Sequence, residues 1–347
     1  MDRLKQFYDK IKDNLKVPNS KDDNVLIIDG TNTFMRVFSA VPALNDDGMH
    51  VGGVIGFLKS VGSNIRNFNA TRCIVVFDGR GGSVRRRKLY PEYKATRKTK
   101  TSLNRFKEFE NLVDEQESLK KQFIRIIDYL DILPITVISV DNIEADDVVA
   151  YITKQYYRNY DNKVTIVSTD RDFLQLINDN ISVYSPIKKI LYTPKILQDE
   201  LGILPENYLL YRMVSGDTSD NIGGVNGVGI KSLLKYFPLN SEKLSINDIL
   251  DKTKKILSEG KSYKVLEKLL ESRDVLERNY KLMQLSETDI PASDKLRISS
   301  MMDADINQLD LLEFRKMFAT DKMYSNIPDV TNWINNTYNG LKIYAGT

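Results

Sequence analysis

Apolar runs that end in aspartate constrain this chain most. Val25-Leu26-Ile27-Ile28 leads into Asp29-Gly30, and Cys73-Ile74-Val75-Val76-Phe77 leads into Asp78-Gly79. A third run, Val164-Thr165-Ile166-Val167-Ser168, leads to Asp170 and Asp172. β-Branched residues favour extension, and strands that are apolar on both faces are buried, as in a parallel sheet. The runs therefore predict an α/β fold, a mostly parallel twisted sheet flanked by helices. The aspartates then sit at carboxyl ends of strands, where α/β proteins place their sites. A further strand is expected over residues 134–138 and an edge strand over 181–184. Helical spacing of apolar residues predicts helices over 54–68, 108–130, 144–157 and 208–214.

Acidic residues recur between these elements. Glu144-Ala145-Asp146-Asp147 and Asp170-Arg171-Asp172 place five carboxylates within 29 residues. Two like charges ~5 Å apart repel by roughly 3 kcal/mol at an effective dielectric of about 20. Convergence of all five therefore calls for cations. Oxygen ligands suit hard divalent ions, Mg²⁺ or Mn²⁺. Asp217 and Asp220, spaced i, i+3, can share one face of a turn. Each acid also has a local reading. Asp141 can be the N-cap of the helix, with Glu144 closing a capping box, and Asp-Gly is a turn signal. Capping accounts for one carboxylate more readily than for acids at several strand ends.

Composition removes other chemistries. The chain has a single cysteine, Cys73, and a single histidine, His50. An internal disulfide and a Cys/His zinc site are thereby excluded, and a reducing cytoplasm is expected. Ser-His or Cys-His hydrolysis would have to run through His50, which lies among Gly48, Gly52 and Gly53 and reads as a surface or loop residue. No apolar run reaches the ~20 residues of a membrane span, and the N-terminus lacks a signal-peptide core.

The net charge is only +3, so affinity for nucleic acid must come from local segregation of charge. Such segregation is present. Residues 80–107 hold eleven bases: Arg80, Arg85, Arg86, Arg87, Lys88, Lys94, Arg97, Lys98, Lys100, Arg105 and Lys107. Glu92 alone offsets them, and Tyr90, Tyr93 and Phe106 are interleaved. Bases with aromatics suit phosphate contacts and base stacking; a solvated charged loop is the plainer alternative. Further on, Ile222-Gly223-Gly224-Val225-Asn226-Gly227-Val228-Gly229-Ile230-Lys231 is a glycine-rich turn opening a helix. It can present backbone N–H groups to a phosphate, with Lys231 adding charge. Residues 1–23 read as a polar helical extension. Residues 241–347 are Lys-rich and mostly helical, clearest over 256–285, with no catalytic motif; Trp333 and Tyr344 read as packing residues.

Seven strings in order resemble the flap endonuclease/5′-3′ exonuclease family, most closely its phage ribonuclease H type that removes primers. They are Ile28-Asp29-Gly30, Phe77-Asp78-Gly79, Pro91-Glu92-Tyr93-Lys94 with Arg97, Glu144-Ala145-Asp146-Asp147, Thr169-Asp170-Arg171-Asp172, Gly216-Asp217-Thr218-Ser219-Asp220-Asn221-Ile222 and Gly224-Val225-Asn226-Gly227-Val228-Gly229. The resemblance covers roughly residues 24–237. It implies a PIN-like nuclease core over 24–215 with a basic helical arch at about 80–112. A helix-hairpin-helix element would occupy 216–240 and a helical region 241–347.

The resemblance also assigns roles. Asp29, Asp78, Glu144, Asp146 and Asp147 would surround one metal ion, and Asp170, Asp172, Asp217 and Asp220 a second. Two ions ~4 Å apart both activate water and stabilise the leaving oxygen of a phosphodiester. Lys94 and Arg97 would contact the scissile phosphate. Arg85, Arg86, Arg87, Lys88, Tyr90, Tyr93 and Lys98 would meet the 5′ strand, and Phe34 is a further candidate for stacking a base. Gly227, Gly229 and Lys231 would grip duplex backbone, with K⁺ held on hairpin carbonyls. Expected partners are DNA with a 5′ flap or end, RNA–DNA hybrid, a sliding clamp and a single-strand-binding protein. The rival readings are a PIN-type ribonuclease, a Toprim site built on Glu144, Asp170 and Asp172, and a junction-binding protein without catalysis.

Overall fold

The computed structural model describes residues 24–97, 102–106, 109–159, 161–259, 263–286 and 289–341. The readings made for residues 1–23, Lys98, Lys100, Lys107 and Tyr344 lie outside the described residues, as does the side chain of Arg97.

The apolar runs form one sheet. Its strands are β1 (Asn24–Asp29), β2 (Arg72–Phe77), β3 (Thr136–Ser139), β4 (Lys163–Val167), β5 (Ile181–Ser185) and β6 (Ile190–Tyr192). They lie in the order β3-β2-β1-β4-β5-β6. The first five are parallel and β6 returns antiparallel to β5. This corrects the expectation that residues 181–184 form an edge. A short turn, with Lys189 at φ 55°, folds β6 back onto β5 and makes β6 the edge instead.

Around the sheet lie α1 (Gly30–Ala40), α2 (Gly52–Asn67), α3 (Val84–Leu89), α4 (Leu112–Asp131), α5 (Ala145–Lys154), α6 (Pro194–Leu201), α7 (Tyr208–Ser215) and α8 (Ile230–Tyr236). The C-terminal helices are α9 (Ile246–Ser258), α10 (Lys264–Glu271), α11 (Arg273–Met283), α12 (Ala292–Asp303), α13 (Leu311–Thr320) and α14 (Val330–Tyr338). Among the described residues, the helical run expected over 256–285 is thus broken at Glu259 and Tyr263 and again at Ser272.

Strand side chains alternate between two cores. Leu26, Ile28, Cys73 and Val75 face Phe34, Phe57, Ile126, Phe314 and Ile334. Val25, Ile27, Ile74 and Val76 face Val148, Ile152, Leu210, Leu269 and Ile298. The C-terminal helices therefore contribute to both cores, α13 and α14 on one face and α9 to α12 on the other.

Sheet order places the site. From β1 the chain moves outward to β2 and β3, then crosses back to β4 on the other side of β1. Ligand crevices of open α/β sheets open at such a switch point. Ile28 and Val167 are paired, so Asp29 and Ser168 emerge side by side there. The glycines after the strand-end aspartates serve close approach: a Cβ on Gly79 would lie 1.6 Å from the Val140 carbonyl oxygen, and one on Gly30 would lie 2.6 Å from the Phe77 ring.

Of the two sequence readings for His50, surface or loop, the loop holds and the surface does not. His50 is buried, with Nε2 3.1 Å from the Val41 carbonyl and Nδ1 3.1 Å from the Gln122 amide. Phe38 and Phe109 pack edge-on against its ring. His50 is a packing residue tying the loop before α2 to α4. Among the described residues no helix is long and apolar enough to cross a membrane.

Candidate active site

Glu144, Asp146 and Asp147 stand at the start of α5, with one carboxylate oxygen from each lying within 4.8 Å of the others. The expected capping box is absent. Glu144 occupies the N-cap position without a side-chain cap bond, and Asp141 takes no part. Instead Asp78, at the end of β2, accepts a hydrogen bond from the Ala145 N–H at 2.8 Å. Asp78 thereby caps the helix from another strand and leaves the Glu144 carboxylate free to face the cluster.

Arg86 fills the centre of this cluster. Its side chain is only 2% exposed and forms ion pairs with Glu144, Asp146 and Asp147. Toward Asp147 the pairing is two-pronged, at 2.9 and 3.1 Å, and Nε donates to the Leu282 carbonyl at 2.8 Å. The sequence reading assigned Arg86 to a nucleic-acid strand; burial corrects this, because its donors are already committed. Arg85 pairs with Asp147 at 3.2 Å, and Lys94 pairs with Glu144. Tyr93 is buried and donates to Glu144 at 3.2 Å, so its ring packs and does not stack a base. Phe34, inside the core, is likewise a packing residue.

A second, looser set of acids borders the switch point; among the described residues only Glu144, Asp146 and Asp147 bring three carboxylate oxygens within 4.8 Å of one another. Asp29 caps α1 by accepting from the Asn32 N–H at 3.0 Å, and it accepts from Ser168 Oγ at 2.9 Å. Asp170 accepts from the Asp172 N–H at 2.8 Å. Arg212 joins Asp172, at 2.9 Å, to Asp217. Asp217 also accepts from the Ser219 N–H and Oγ, each at 2.7 Å. Asp220 is buried, and its carbonyl accepts from the Lys94 N–H at 2.9 Å. Lys94 has φ 55°. This left-handed turn lets its backbone hold the Asp217–Asp220 loop while its ammonium reaches Glu144. Sequence reasoning missed Arg212, and the only signal is a lone base on an otherwise uncharged helix ahead of Asp217.

The site is short of positive charge. Burial pushes the Asp29 carboxyl up to about 7, against the pull of the Asn32 N–H and with Asp78 adding repulsion. Burial, then Asp170, pushes Asp172 up to about 7. Asp146 is raised by burial and by Asp147 and Glu144, although Arg86 opposes this. Asp170 is raised by burial, with Asp220 and Asp217 contributing. Two acids go the other way: Arg86 and Lys94 outweigh burial at Glu144, and Ser219 and Arg212 do so at Asp217. Oxygen-only donors, crowded and undercompensated, fit hard divalent cations.

The glycine-rich turn runs from α7 through a two-stranded pair, Gly216–Asp217 with Ile222–Gly223, to α8. Gly227 has φ 78°, and Gly227, Gly229 and Lys231 are exposed. The Asn226 carbonyl accepts from Lys268 Nζ at 3.3 Å. In the basic stretch Arg87 and Lys88 are exposed, while Tyr90 is half-buried under the Arg278 guanidinium, 4.6 Å from its ring centre. A model of the 5′-3′ exonuclease N-terminal resolvase-like domain matches residues 24–202, the stretch that carries the sheet and most of these acids.

The chain belongs to the 5′-3′ exonuclease family. A 5′-3′ exonuclease of Buchnera aphidicola is 29% identical over 280 residues, 80% of this chain and 91% of its own. That of Aquifex aeolicus is 28% identical over 306 residues, 88% of this chain and 94% of its own. Among solved structures, the bacteriophage T5 flap endonuclease, captured as a pseudo-enzyme-product complex with DNA and metal ions, is 25% identical. It covers 86% of this chain and 99% of its own at a TM-score of 0.58. As a 5′-3′ exonuclease family member the chain is a metal-dependent nuclease with a mostly parallel, PIN-like sheet. The Toprim reading used three acids only; the family's fold accounts for a longer rim of them.

Proposed function

We propose that this nuclease hydrolyses phosphodiester bonds in DNA bearing a 5′ end or 5′ flap, RNA primers included, and leaves 5′-phosphate ends. The observation that carries the reading is the Glu144, Asp146 and Asp147 cluster, with carboxylates from four further chain segments, at Asp29, Asp78, Asp170 with Asp172, and Asp217 with Asp220, lining the same rim. Asp29, Asp78, Glu144, Asp146 and Asp147 would hold one divalent cation, and Asp170, Asp172, Asp217 and Asp220 a second, with Mg²⁺ the natural ion and Mn²⁺ a substitute. Such a pair supplies water activation and Lewis acidity for phosphodiester hydrolysis.

The chain's own residues bind and orient. Lys94 lies between the clusters, its ammonium on Glu144 and its backbone on Asp220. From there, with Arg97, it would offset charge developing on the phosphate. Arg85, Arg87 and Lys88 would track the 5′ strand, and Gly227, Gly229 and Lys231 would hold duplex backbone. K⁺ at the hairpin would share the Asn226 carbonyl with the Lys268 ammonium, which weakens that site. A sliding clamp, a single-strand-binding protein and a cytoplasmic setting belong to the same reading. A junction-binding protein without catalysis is disfavoured because no ligand-candidate acid is missing.

The test is a 5′-flap duplex incubated in Mg²⁺, Mn²⁺ or EDTA, with product ends mapped. Metal-dependent products carrying 5′-phosphate are expected. Tight binding with no cleavage in either metal would overturn the reading in favour of a junction-binding protein.

A further inference from the structure

Resting on the reading of the glycine hairpin as the duplex grip, we propose that α11 is a strut fixing the distance between that grip and the acid rim. Arg278 and Asn279 are its positioning residues, and they set which phosphodiester is cut.

Asn279 is fully buried. Its carboxamide nitrogen donates to the Met213 carbonyl on α7 at 2.8 Å and to the Gly223 carbonyl in the hairpin at 2.9 Å. Its oxygen accepts from Arg278 Nε at 3.2 Å and Nη2 at 3.0 Å. Arg278 Nη2 also donates to the Gly223 carbonyl at 3.1 Å, and the guanidinium covers the Tyr90 ring. Two donors thus hold one hairpin carbonyl, while the same arginine touches the basic stretch. Only an amide can donate to both carbonyls and accept from the arginine at once.

The last turn of the same helix supports the acids. The Leu282 carbonyl takes Arg86 Nε at 2.8 Å, and Arg86 carries the Glu144–Asp147 cluster. The Met283 carbonyl takes Gln175 Nε2 at 2.9 Å, and that nitrogen also holds the Asp172 carbonyl at 2.9 Å. From Asn279 to Met283 is about 6 Å of helix at ~1.5 Å per residue. One rigid turn therefore spans from the hairpin to the supports of both clusters. Successive phosphates on a strand are ~3.4 Å apart along the duplex axis. A hairpin displaced by that amount moves the cut by one nucleotide.

The experiment maps cleavage at single-nucleotide resolution on an end-labelled 5′-flap duplex, with kcat and KM measured separately. It compares wild type, Arg278→Ala, Arg278→Lys, Asn279→Ala and Lys231→Ala, each checked for folding by circular dichroism. Wild type is expected to give one dominant product. Arg278→Ala should spread cutting over neighbouring phosphates and raise KM several-fold, with kcat changed less. Arg278→Lys should restore the KM in part and the product position less, since it loses the paired donors. Asn279→Ala should show the same spread. A purely structural role would lower the active fraction and leave the product position fixed. Arg278 is only half-buried, so Arg278→Ala keeps the test open even where Asn279→Ala unfolds the protein. An unchanged product and KM in folded Arg278→Ala overturns the strut. If Lys231→Ala also leaves duplex affinity unchanged, the hairpin reading falls with it; if Lys231→Ala weakens binding, the strut alone falls.

Discussion

Asp78 caps a helix to which it does not belong: its carboxylate accepts from the Ala145 N–H at 2.8 Å, across 67 residues of sequence. The bond fixes the start of α5 against the end of β2 and aims Glu144 at its neighbours. Asp78→Ala should therefore destabilise the metal-free protein by about 1 kcal/mol, the usual value of a lost cap. Asp78→Asn keeps an acceptor and should melt close to wild type while cleaving more slowly. Thermal melts in EDTA, paired with cleavage rates in Mg²⁺, separate the two effects.

Arg86 compensates two buried carboxylates, Glu144 and Asp147, and the half-buried Asp146 at once. Arg86→Ala leaves them without that counter-ion, and breaking a buried pair typically costs 3–5 kcal/mol. Denaturant unfolding in EDTA should show a loss of that order. Added Mg²⁺ should recover a larger share of stability in the variant than in wild type, because metal then replaces the missing charge.

Stability of the metal-free protein should fall as pH rises from about 5 to 7. Asp29 and Asp172 titrate at about 7 when folded, against about 4 in an unfolded chain. Between those values the folded state holds protons that the unfolded state has released, so raising pH favours unfolding. Glu144 and Asp217 are shifted down and act oppositely, but only as pH drops below the usual carboxylate range. Urea midpoints in EDTA at pH 5, 6, 7 and 8 should decline and then level off. Saturating Mg²⁺ should flatten or reverse the decline, because metal favours the ionised carboxylates.

Gly79→Ala should be far worse than a turn substitution. The added Cβ would meet the Val140 carbonyl at 1.6 Å, so β2 or the loop before α5 must move. A loss of roughly 1–3 kcal/mol is expected from such overpacking, together with slower cleavage, since Asp78 is the neighbouring residue. Gly223→Ala, where a Cβ meets nothing within 4 Å, is the matched control for stability.

The strand-end acids were legible because each depends on a local pattern: an apolar run buried on both faces, then aspartate. Sheet order then brings those ends together, as at Asp29 and Ser168. What the sequence hid is pairing at long range. Arg86 reads as one base among eleven, yet its Nε partner is Leu282, 196 residues away. Arg212 becomes significant only when α7 packs beside the loop after β4, where Asp172 and Asp217 flank it. His50 looked exposed because glycines surround it; Gln122 of α4 and two phenylalanines cover it instead.

The most direct test of the central claim separates binding from chemistry at the Glu144–Asp147 cluster. Wild type and the double variant Asp146→Ala, Asp147→Ala are compared on a 5′-flap duplex, with binding measured in EDTA and cleavage in Mg²⁺. Retained binding with cleavage reduced by several orders of magnitude in the variant is the predicted result. Cleavage at a near wild-type rate in a folded variant would contradict the assignment of these carboxylates to the nuclease centre.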